Sequence, residues 1–192
     1  MIAGLVLAAG GASRFGSPKQ LADLDGLPLL QHAVDAMLAV PAIDPVVVVL
    51  GAEAERVRAA VDLRHARAVV CAEWAEGMAA SLRCGLAAVG DADWVIVTLG
   101  DQPRVTPQVI AGVLDHAVSA AAGTTAVRAT YAGVPGHPVA LGRAMLPGVV
   151  QLSGDVGARE LLGTATVRTF EAAGLCDPAD VDTPEELEAL RT

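Results

Sequence analysis

Four short runs of apolar residues impose the strongest limit on how this chain can fold. They are IAGLVLAA at 2–9, PVVVVLG at 45–51, ARAVVCA at 66–72 and DWVIVTLG at 93–100. Because these residues do not alternate with polar ones, both faces of each run must be buried, which is typical of strands inside a parallel sheet. The chain therefore predicts a sheet that is covered on both sides.

Segments with helical periodicity lie between and after these runs. Their apolar residues recur with the i, i+3, i+4, i+7 spacing of one helix face. The three sets are Leu30, Ala33, Val34, Met37 and Leu38; Met78, Leu82, Gly85, Leu86 and Val89; and Val109, Val113, Leu114, Ala117 and Val118. Strands that alternate with such helices predict a three-layer α/β fold, with a mostly parallel twisted sheet, helices on both faces and right-handed crossovers.

The alternation loosens in the last third of the chain. TTAVRATY at 124–131 predicts a strand, AGVPGHP at 132–138 a turn and VALG at 139–142 a short strand, before two short helical stretches. With 192 residues, of which 53% are hydrophobic, the chain can bury one sizeable core. We predict a single domain over 1–192, with halves at about 1–122 and about 123–192 that share one sheet.

Charge and cysteine content exclude several classes of partner. A net charge of -9 disfavours nucleic acid and anionic membrane, because both are bound through clustered lysine and arginine. The three cysteines are widely spaced and form no CxxC pair, so neither a disulfide framework nor a zinc site is expected. The apolar start lacks the basic residues of a signal peptide, and no apolar run reaches the length of about 20 residues that a bilayer requires. We predict a soluble protein of the cytoplasm.

A glycine-rich loop follows the first strand and leads to the only lysine of the chain. Gly10, Gly11 and Gly16 let backbone amides approach a phosphate, and Lys19 comes next. The spacing fits neither the GxGxxG dinucleotide fingerprint nor the GxxxxGK phosphate loop, whose lysine would come two residues earlier. Since twelve other basic residues are arginines, position 19 is predicted to need a compact point charge on a flexible stem. The loop alone leaves open an ordinary surface loop with two cations.

Six blocks of sequence, in order, resemble a known family. LAAGGASRFGSPK at 7–19 resembles the opening signature of the MobA-like NTP transferase family, and its LAAG form is similar to molybdenum cofactor cytidylyltransferases. The other blocks are EGMAASLRCGL, LGDQP, GHPVAL, SGDVGARELL and DVDTPEEL. Departures at Gly11, Ala80, Cys84 and Val156 remove no charged group. The resemblance implies a Rossmann-like nucleotidyltransferase fold.

The resemblance also implies roles for individual residues in nucleotide binding. Arg14, Lys19 and Asp101 would be catalytic, because they would neutralise charge at the reacting phosphates. The nucleotide would be bound by Leu7, Ala8, Ala9, Gly10, Gly11, Arg14, Lys19, Gly77, Ser81 and Asp101. We interpret Met78, Leu82 and Leu86 as core residues.

Two aspartates are the candidates for a Mg²⁺ site. Asp101 ends an apolar strand, and in open α/β sheets ligands bind beyond the carboxyl ends of the strands. A carboxylate there suits Mg²⁺ that bridges nucleotide phosphates. By resemblance, one aspartate of DVDTPEEL completes the site, and we expect Asp182, at the end of a predicted short strand, before Asp180. Thr183 and Glu186 behind it predict a capping box that starts the last helix.

The later half would bind the acceptor, as the resemblance implies. The residues in question are His137, Asp155 and Arg159. Considered by itself, a histidine in a turn more often forms only a local hydrogen bond. Asp155 is expected to cap a helix whose N-terminus, together with Arg159, attracts an anion.

The resemblance implies transfer of CMP from CTP to the terminal phosphate of molybdopterin cofactor, with release of pyrophosphate, and these parts fit such a transfer. A phosphate monoester is already anionic near neutral pH, so no general base is expected. One alternative within the family uses GTP or another small phosphate. A second is an oxidoreductase of a dye-like or purine-derived compound. A third is a non-catalytic carrier that serves a molybdoenzyme partner, although Lys19, Asp101 and Asp182 favour catalysis.

Overall fold

A seven-stranded sheet forms the centre of the computed structural model, which describes residues 1–11, 15–156 and 158–191. Its strand order is β5-β4-β1-β6-β8-β7-β9, and β2 and β3 form a separate hairpin. β1, β4, β5 and β6 are parallel, whereas β8 runs antiparallel to β6 and β7. The strands are β1 Ile2–Ala8, β2 Asp23–Leu24, β3 Leu27–Pro28, β4 Val46–Leu50, β5 Arg67–Val70, β6 Trp94–Leu99, β7 Ala126–Tyr131, β8 Val134–Gly142 and β9 Val167–Glu171.

Helices cover both faces of this sheet. They are α1 Leu29–Leu38, α2 Ala54–Ala60, α3 Met78–Val89, α4 Pro107–Val118, α5 Leu146–Val149, α6 Arg159–Thr164 and α7 Pro184–Ala189. One core packs α1, α2 and α4 against the sheet, and the other packs α3, α5 and α6. The predicted three-layer, mostly parallel α/β fold is confirmed. Among the described residues, no helix combines the length and the apolar character needed to cross a membrane.

The central strand shows why its sequence is apolar without alternation. Val6 and Ala8 pack in the core that contains α1 and α4, whereas Leu5 and Leu7 pack in the core that contains α3. All four side chains are buried. Successive side chains point to opposite faces of a strand, so a strand between two cores needs an apolar residue at every position.

The sequence was misleading in the later part of the sheet. AGVPGHP is not a turn: only Ala132 and Gly133 form the connection, both with positive φ, and β8 begins at Val134. The glycine and prolines of this strand are typical of turns, so the sequence pattern does not indicate a strand. The pairing of β7 with β8 also shifts register between Arg128 and Thr130. The β2–β3 hairpin, α2 and β9 were not predicted either, because their short segments carry little periodicity.

Connectivity places a crevice beside β1. The chain leaves β1 through α1 toward β4 and β5, then returns through α3 to β6 on the other side of β1. Strand order therefore reverses between β4 and β6, and open α/β sheets bind ligands at such a switch point, beyond the carboxyl ends of the strands. Gly10 and Asp101 follow the two strands that flank this crevice.

Close packing of α3 on the sheet predicts a strong effect of one methyl group. A Cβ at Gly85 would lie 2.4 Å from Cδ1 of Leu5 and 2.9 Å from Cγ2 of Val49. We expect Gly85→Ala to lower the free energy of unfolding by about 1–3 kcal/mol, because overpacked cores must shift side chains or backbone. Urea denaturation of the purified variant measures this change.

Gly163→Ala in α6 is the matched control. No atom lies within 4 Å of a Cβ built at Gly163. Alanine favours helix over glycine by about 1 kcal/mol, so this variant should be as stable as the wild type or slightly more stable. Equal stability of the Gly85→Ala variant and the wild type would contradict the packing described here.

Candidate active site

A cleft of about 320 Å³ opens at the carboxyl ends of β1 and β6. Nine residues predicted to bind the nucleotide line it together: Leu7, Ala8, Ala9, Gly10, Gly11, Lys19, Gly77, Ser81 and Asp101. Arg14, the tenth, lies outside the described residues. Residues from four separate segments of sequence thus converge on one cavity.

The glycine loop is held by a side chain that the sequence analysis missed. Gln20 is 4% exposed, and its Nε2 donates hydrogen bonds of 2.9 Å to the carbonyl oxygens of Ala8 and Gly10. Buried polar groups are expensive unless they are paired, so these bonds fix the course of the backbone at the cleft. In the sequence, the one sign of this role is that Gln20 directly follows Lys19.

An indole ring forms another wall of the cleft, also unforeseen. Trp74 lines the cavity, and its ring lies 2.9 Å from where a Cβ of Gly11 would stand. A side chain at Gly11 would therefore push the ring away. The small residue at this position lets the tryptophan pack directly against the loop backbone.

Two predictions on α3 have different outcomes. Ser81 is 6% exposed and lines the cleft. Met78, interpreted as core, is 37% exposed and lies at the cavity wall instead. Met78 is the first residue of α3, whereas Leu82 one turn later is buried as predicted.

The ammonium group of Lys19 lies between two carboxylates. Its Nζ donates hydrogen bonds of 2.7 Å to Oδ2 of Asp101 and 2.7 Å to Oδ1 of Asp182. Burial by itself lowers the pKa of Lys19, but attraction to Asp101 and hydrogen bonds to both aspartates outweigh it and raise the pKa above its usual value. Lys19 is therefore charged at neutral pH, and two of its three N–H donors serve the aspartates.

Asp180 lies nearby but has a different partner. Its Oδ1 accepts a hydrogen bond of 2.8 Å from Nε2 of Gln102. Burial and repulsion from Asp101 raise the pKa of Asp180, although the bond from Gln102 opposes the shift. Of the two candidates in DVDTPEEL, Asp182 is the one that meets Asp101 at Lys19.

The segment before α7 is not the short strand that was expected. The structure assigns no strand to residues 172–183. Its backbone is held instead by a hydrogen bond of 2.9 Å from the N–H of Val181 to the carbonyl of Asp101. The predicted capping box is present: Oγ1 of Thr183 accepts from the N–H of Glu186, whose carboxylate accepts from the N–H of Thr183.

The two aspartates fit a divalent cation. Carboxylate oxygens are the ligands that hard cations such as Mg²⁺ and Mn²⁺ prefer, and this pair already surrounds a positive charge. Within residues 1–11, 15–156 and 158–191, no cluster of three or more histidine, cysteine or acidic side chains is arranged to hold a metal. A cation bound here would take its other ligands from phosphates and water, as Mg²⁺ commonly does.

A second cleft, of about 640 Å³, adjoins the first. His137 and Asp155 line it, as the acceptor prediction requires, whereas the side chain of Arg159 lies outside what the structure describes. The two cavities share Met78, Leu99 and Asp155. A ligand in one cleft therefore lies next to a ligand in the other.

His137 is held neutral in this second cleft. Burial, and then the nearby charge of Arg128, lower its pKa to about 4. Its backbone carbonyl accepts a hydrogen bond of 2.7 Å from the hydroxyl of Tyr131. The imidazole can therefore act as a neutral hydrogen-bonding group near pH 7.

Asp155 caps a helix other than the one expected. Its Oδ1 accepts a hydrogen bond of 3.3 Å from the N–H of Met78, at the start of α3, whereas α6 has no side-chain cap. Gly77 permits this approach, because a Cβ there would lie 2.5 Å from that oxygen. The later half of the chain thus contributes a carboxylate to the N-terminus of α3.

The switch-point position of the cleft and its loop define a nucleotide-binding class of domain. A family model described as the MobA-like NTP transferase domain matches residues 4–169. The chain belongs to this nucleotidyltransferase family, which confirms the resemblance of its motifs.

Several relatives match nearly the whole chain. Nicotine blue oxidoreductase of Paenarthrobacter nicotinovorans is 33% identical, over 98% of this chain and 96% of its own. The crystal structure of Rv0371c from Mycobacterium tuberculosis is 35% identical, with a TM-score of 0.87 over 98% of this chain and 96% of its own. Its manganese complex has been solved and is 33% identical, with a TM-score of 0.83 over the same shares of both chains. A nucleotidyl transferase from Methanothermobacter is 26% identical, with a TM-score of 0.82 over 100% and 96%.

The low pKa of His137 predicts how stability depends on pH. A histidine whose pKa falls from 6.5 to about 4 on folding stabilises the protein above pH 6.5, and this stabilisation is lost as the pH falls toward 4. His137→Gln should reduce the loss of stability between these pH values. Urea denaturation at a series of pH values measures it.

His65→Gln serves as the control, because His65 is exposed on a turn. This variant should follow the wild-type curve. An unchanged decline in the His137→Gln variant would show that His137 does not become harder to protonate on folding.

Proposed function

We propose that the chain is a Mg²⁺-dependent cytidylyltransferase that transfers CMP from CTP to the terminal phosphate of molybdopterin cofactor and releases pyrophosphate. The observation that carries this proposal is the contact of Lys19 with Asp101 and Asp182 at the edge of a glycine-lined cleft. A triphosphate needs positive charge, which Lys19 and a bound divalent cation would supply, and backbone amides, which the glycine loop would supply.

The chain's own residues would act by position and charge. Backbone amides of Gly10 and Gly11 would contact phosphate oxygens, and Lys19 would stabilise charge that develops on the leaving pyrophosphate. Arg14 would add a second cation. A terminal phosphate is an anionic nucleophile near neutral pH, so the cleft needs no general base.

Asp101 and Asp182 would hold the Mg²⁺. Bound there, the metal would neutralise phosphate charge and polarise the phosphorus centre that is attacked. The donor set supports a hard divalent cation, and a manganese complex of the related Rv0371c is consistent with one.

The two halves of the chain would divide the substrates. Apart from Asp155, the residues around the first cleft precede 122, and most residues around the second follow 123. We assign the nucleotide to the half at about 1–122 and the acceptor, with His137, Asp155 and Arg159, to the half at about 123–192. One seven-stranded sheet runs through both halves, which supports the prediction of a single domain.

The LAAG form of the loop favours CTP over GTP as the nucleotide substrate. A reaction that consumes CTP would take place in the cytoplasm, and its product would pass to a molybdoenzyme. Members of the family that use GTP or another small phosphate have the same charge requirements, so the mechanism would survive a change of nucleotide.

A second candidate function follows from one relative. Nicotine blue oxidoreductase matches nearly the full length of both chains at 33% identity. An oxidoreductase that acts on a dye-like or purine-derived compound is therefore the alternative. It would change nicotinamide absorbance without forming pyrophosphate.

Pyrophosphate release tests the proposal. The purified protein is incubated with Mg²⁺ and molybdopterin cofactor, and CTP, GTP, ATP and UTP are compared. We expect release with CTP, and a loss of at least about a hundredfold in kcat for Asp101→Asn, because the substitution removes a metal ligand. Asp91→Asn, at a side chain 95% exposed and away from the cleft, is the control and should be fully active.

Each outcome has a distinct meaning. Release with GTP alone would keep the mechanism and change the nucleotide. An active Asp101→Asn variant would contradict the metal assignment. Hydride transfer from a reduced nicotinamide cofactor to an added dye-like compound, with no pyrophosphate from any nucleotide, would establish the oxidoreductase instead.

Lys19→Arg tests why the chain has one lysine. The guanidinium is larger and planar, and cannot replace a point charge that contacts carboxylates of two separate segments at 2.7 Å. We expect kcat to fall by about tenfold or more while circular dichroism is unchanged. Arg104→Lys, whose arginine pairs with Asp25 outside the cleft, should be fully active. Full activity of Lys19→Arg would mean that the single lysine has no chemical significance.

A further inference from the structure

The segment that carries Asp182 lacks the support that strands and helices give to other parts of the cleft. Residues 176–183 are assigned to neither a helix nor a strand. Asp101, in contrast, lies in the turn that directly follows β6, two residues after the strand ends. The proposed function, on which this inference rests, requires the two aspartates to share a cation. Contacts outside the sheet must then set the separation of the two carboxylates.

Gln102 supplies those contacts. Its Nε2 donates hydrogen bonds of 3.1 Å to the carbonyl of Pro178 and 2.8 Å to Oδ1 of Asp180. The side chain is 5% exposed, so water cannot readily replace these bonds. Because Gln102 is the neighbour of Asp101 in sequence, it ties the segment of Asp182 directly to the residue opposite.

A second bond makes this connection two-sided. The N–H of Val181 donates to the carbonyl of Asp101, and the side chain of Val181 is fully buried with Leu24, Leu29 and Leu187. Beyond it, the carboxylate of Glu186 accepts a hydrogen bond of 2.7 Å from the N–H of Asp182. Gln102 thus holds the segment at its start, near residue 178, whereas Val181 and Glu186 hold it at the end near Asp182.

Charge explains why this position is an amide. Asp101, Asp180 and Asp182 crowd together, and repulsion from Asp101 and Asp182 acts on Asp180. A glutamine offers two N–H donors and adds no charge, whereas a carboxylate of the same size would oppose both acceptors.

We propose that Gln102 is a positioning residue, which holds the segment 178–182 against the end of β6 so that Asp182 faces Asp101 at the correct separation for a divalent cation. Gln102 lines the second cleft, but its amide donates to Pro178 and Asp180 and to neither aspartate of the metal pair. Removal of its amide should therefore weaken metal binding without removing a ligand.

Titration of Mn²⁺ into the purified protein by calorimetry tests this inference without any turnover. Gln102→Met keeps the length of the side chain but removes both donors. We expect the Kd for Mn²⁺ to rise by roughly ten- to a hundredfold, the range found when groups that orient metal ligands are lost. Asp182→Asn, which removes a ligand, is measured beside it.

Gln31→Met is a closely matched control. Gln31 is also 5% exposed, and its Nε2 donates to an aspartate, Asp35, and to a backbone carbonyl, that of Asp62, each at 2.9 Å. It lies on α1, outside both clefts. Its Oε1 also accepts a hydrogen bond of 2.7 Å from the N–H of Asp62, so this variant should lose at least as much stability as Gln102→Met and keep the wild-type Kd for Mn²⁺.

The outcomes distinguish a failure of this inference from a failure of the proposed function. A wild-type Kd for Gln102→Met, with weak binding by Asp182→Asn, would overturn the role of Gln102 and leave the metal pair intact. A wild-type Kd for Asp182→Asn would overturn the metal pair itself. Equal weakening by Gln31→Met would reduce the effect to general destabilisation. If Gln102→Met does not fold, Gln102→Asn, which keeps the amide but shortens its reach, carries the same expectation.

Discussion

The contact of one ammonium group with two carboxylates connects the parts of this molecule on which its chemistry depends. Lys19 follows the loop after β1, Asp101 follows β6, and Asp182 precedes α7. The pairing of β1 with β6 places Asp101 beside the start of the glycine loop, and hydrogen bonds from Gln20, the residue after Lys19, to Ala8 and Gly10 hold the other end of that loop. Hydrogen bonds from Gln102 and Val181 hold the segment of Asp182. The ion pairs thus join the segment before α7 to Lys19 and Asp101, which both line the first cleft.

Electrostatics at this point favours a metal-bound nucleotide over a bare one. The chain has a net charge of -9, and Asp101, Asp180 and Asp182 lie close to the single ammonium of Lys19. A triphosphate alone would meet net repulsion from such a group, since like charges at short range in a shielded site are costly. A divalent cation bound there would cancel the net charge of these four groups and so remove the repulsion. The acidic cluster and the anionic substrate are therefore compatible only when a cation accompanies the nucleotide.

Sequence reasoning succeeded where a local pattern expresses a structural need. The unbroken apolar runs predicted the buried parallel strands, and Thr183 and Glu186 predicted a cap that depends on adjacent residues alone. It failed where the partner is distant. Nothing near Asp155 indicates that it caps α3, and nothing near Gln102 indicates a bond to Pro178. The strand β8 was missed for a different reason, because its glycine and prolines are typical of turns although the extended backbone accepts them.

The cap on α3 has a consequence for how the two clefts work together. A helix N-terminus attracts negative charge, and here the later half of the chain already supplies it through Asp155. The same residue lines both clefts, and Gly77 lets it approach the backbone of α3 closely. A phosphate placed between the two clefts would therefore face the carboxylate of Asp155 at the N-terminus of α3. Without that carboxylate, the helix N-terminus would attract the phosphate. In the proposed reaction, positive charge for the transferred group would come from Lys19, which lines the first cleft together with the loop after β1.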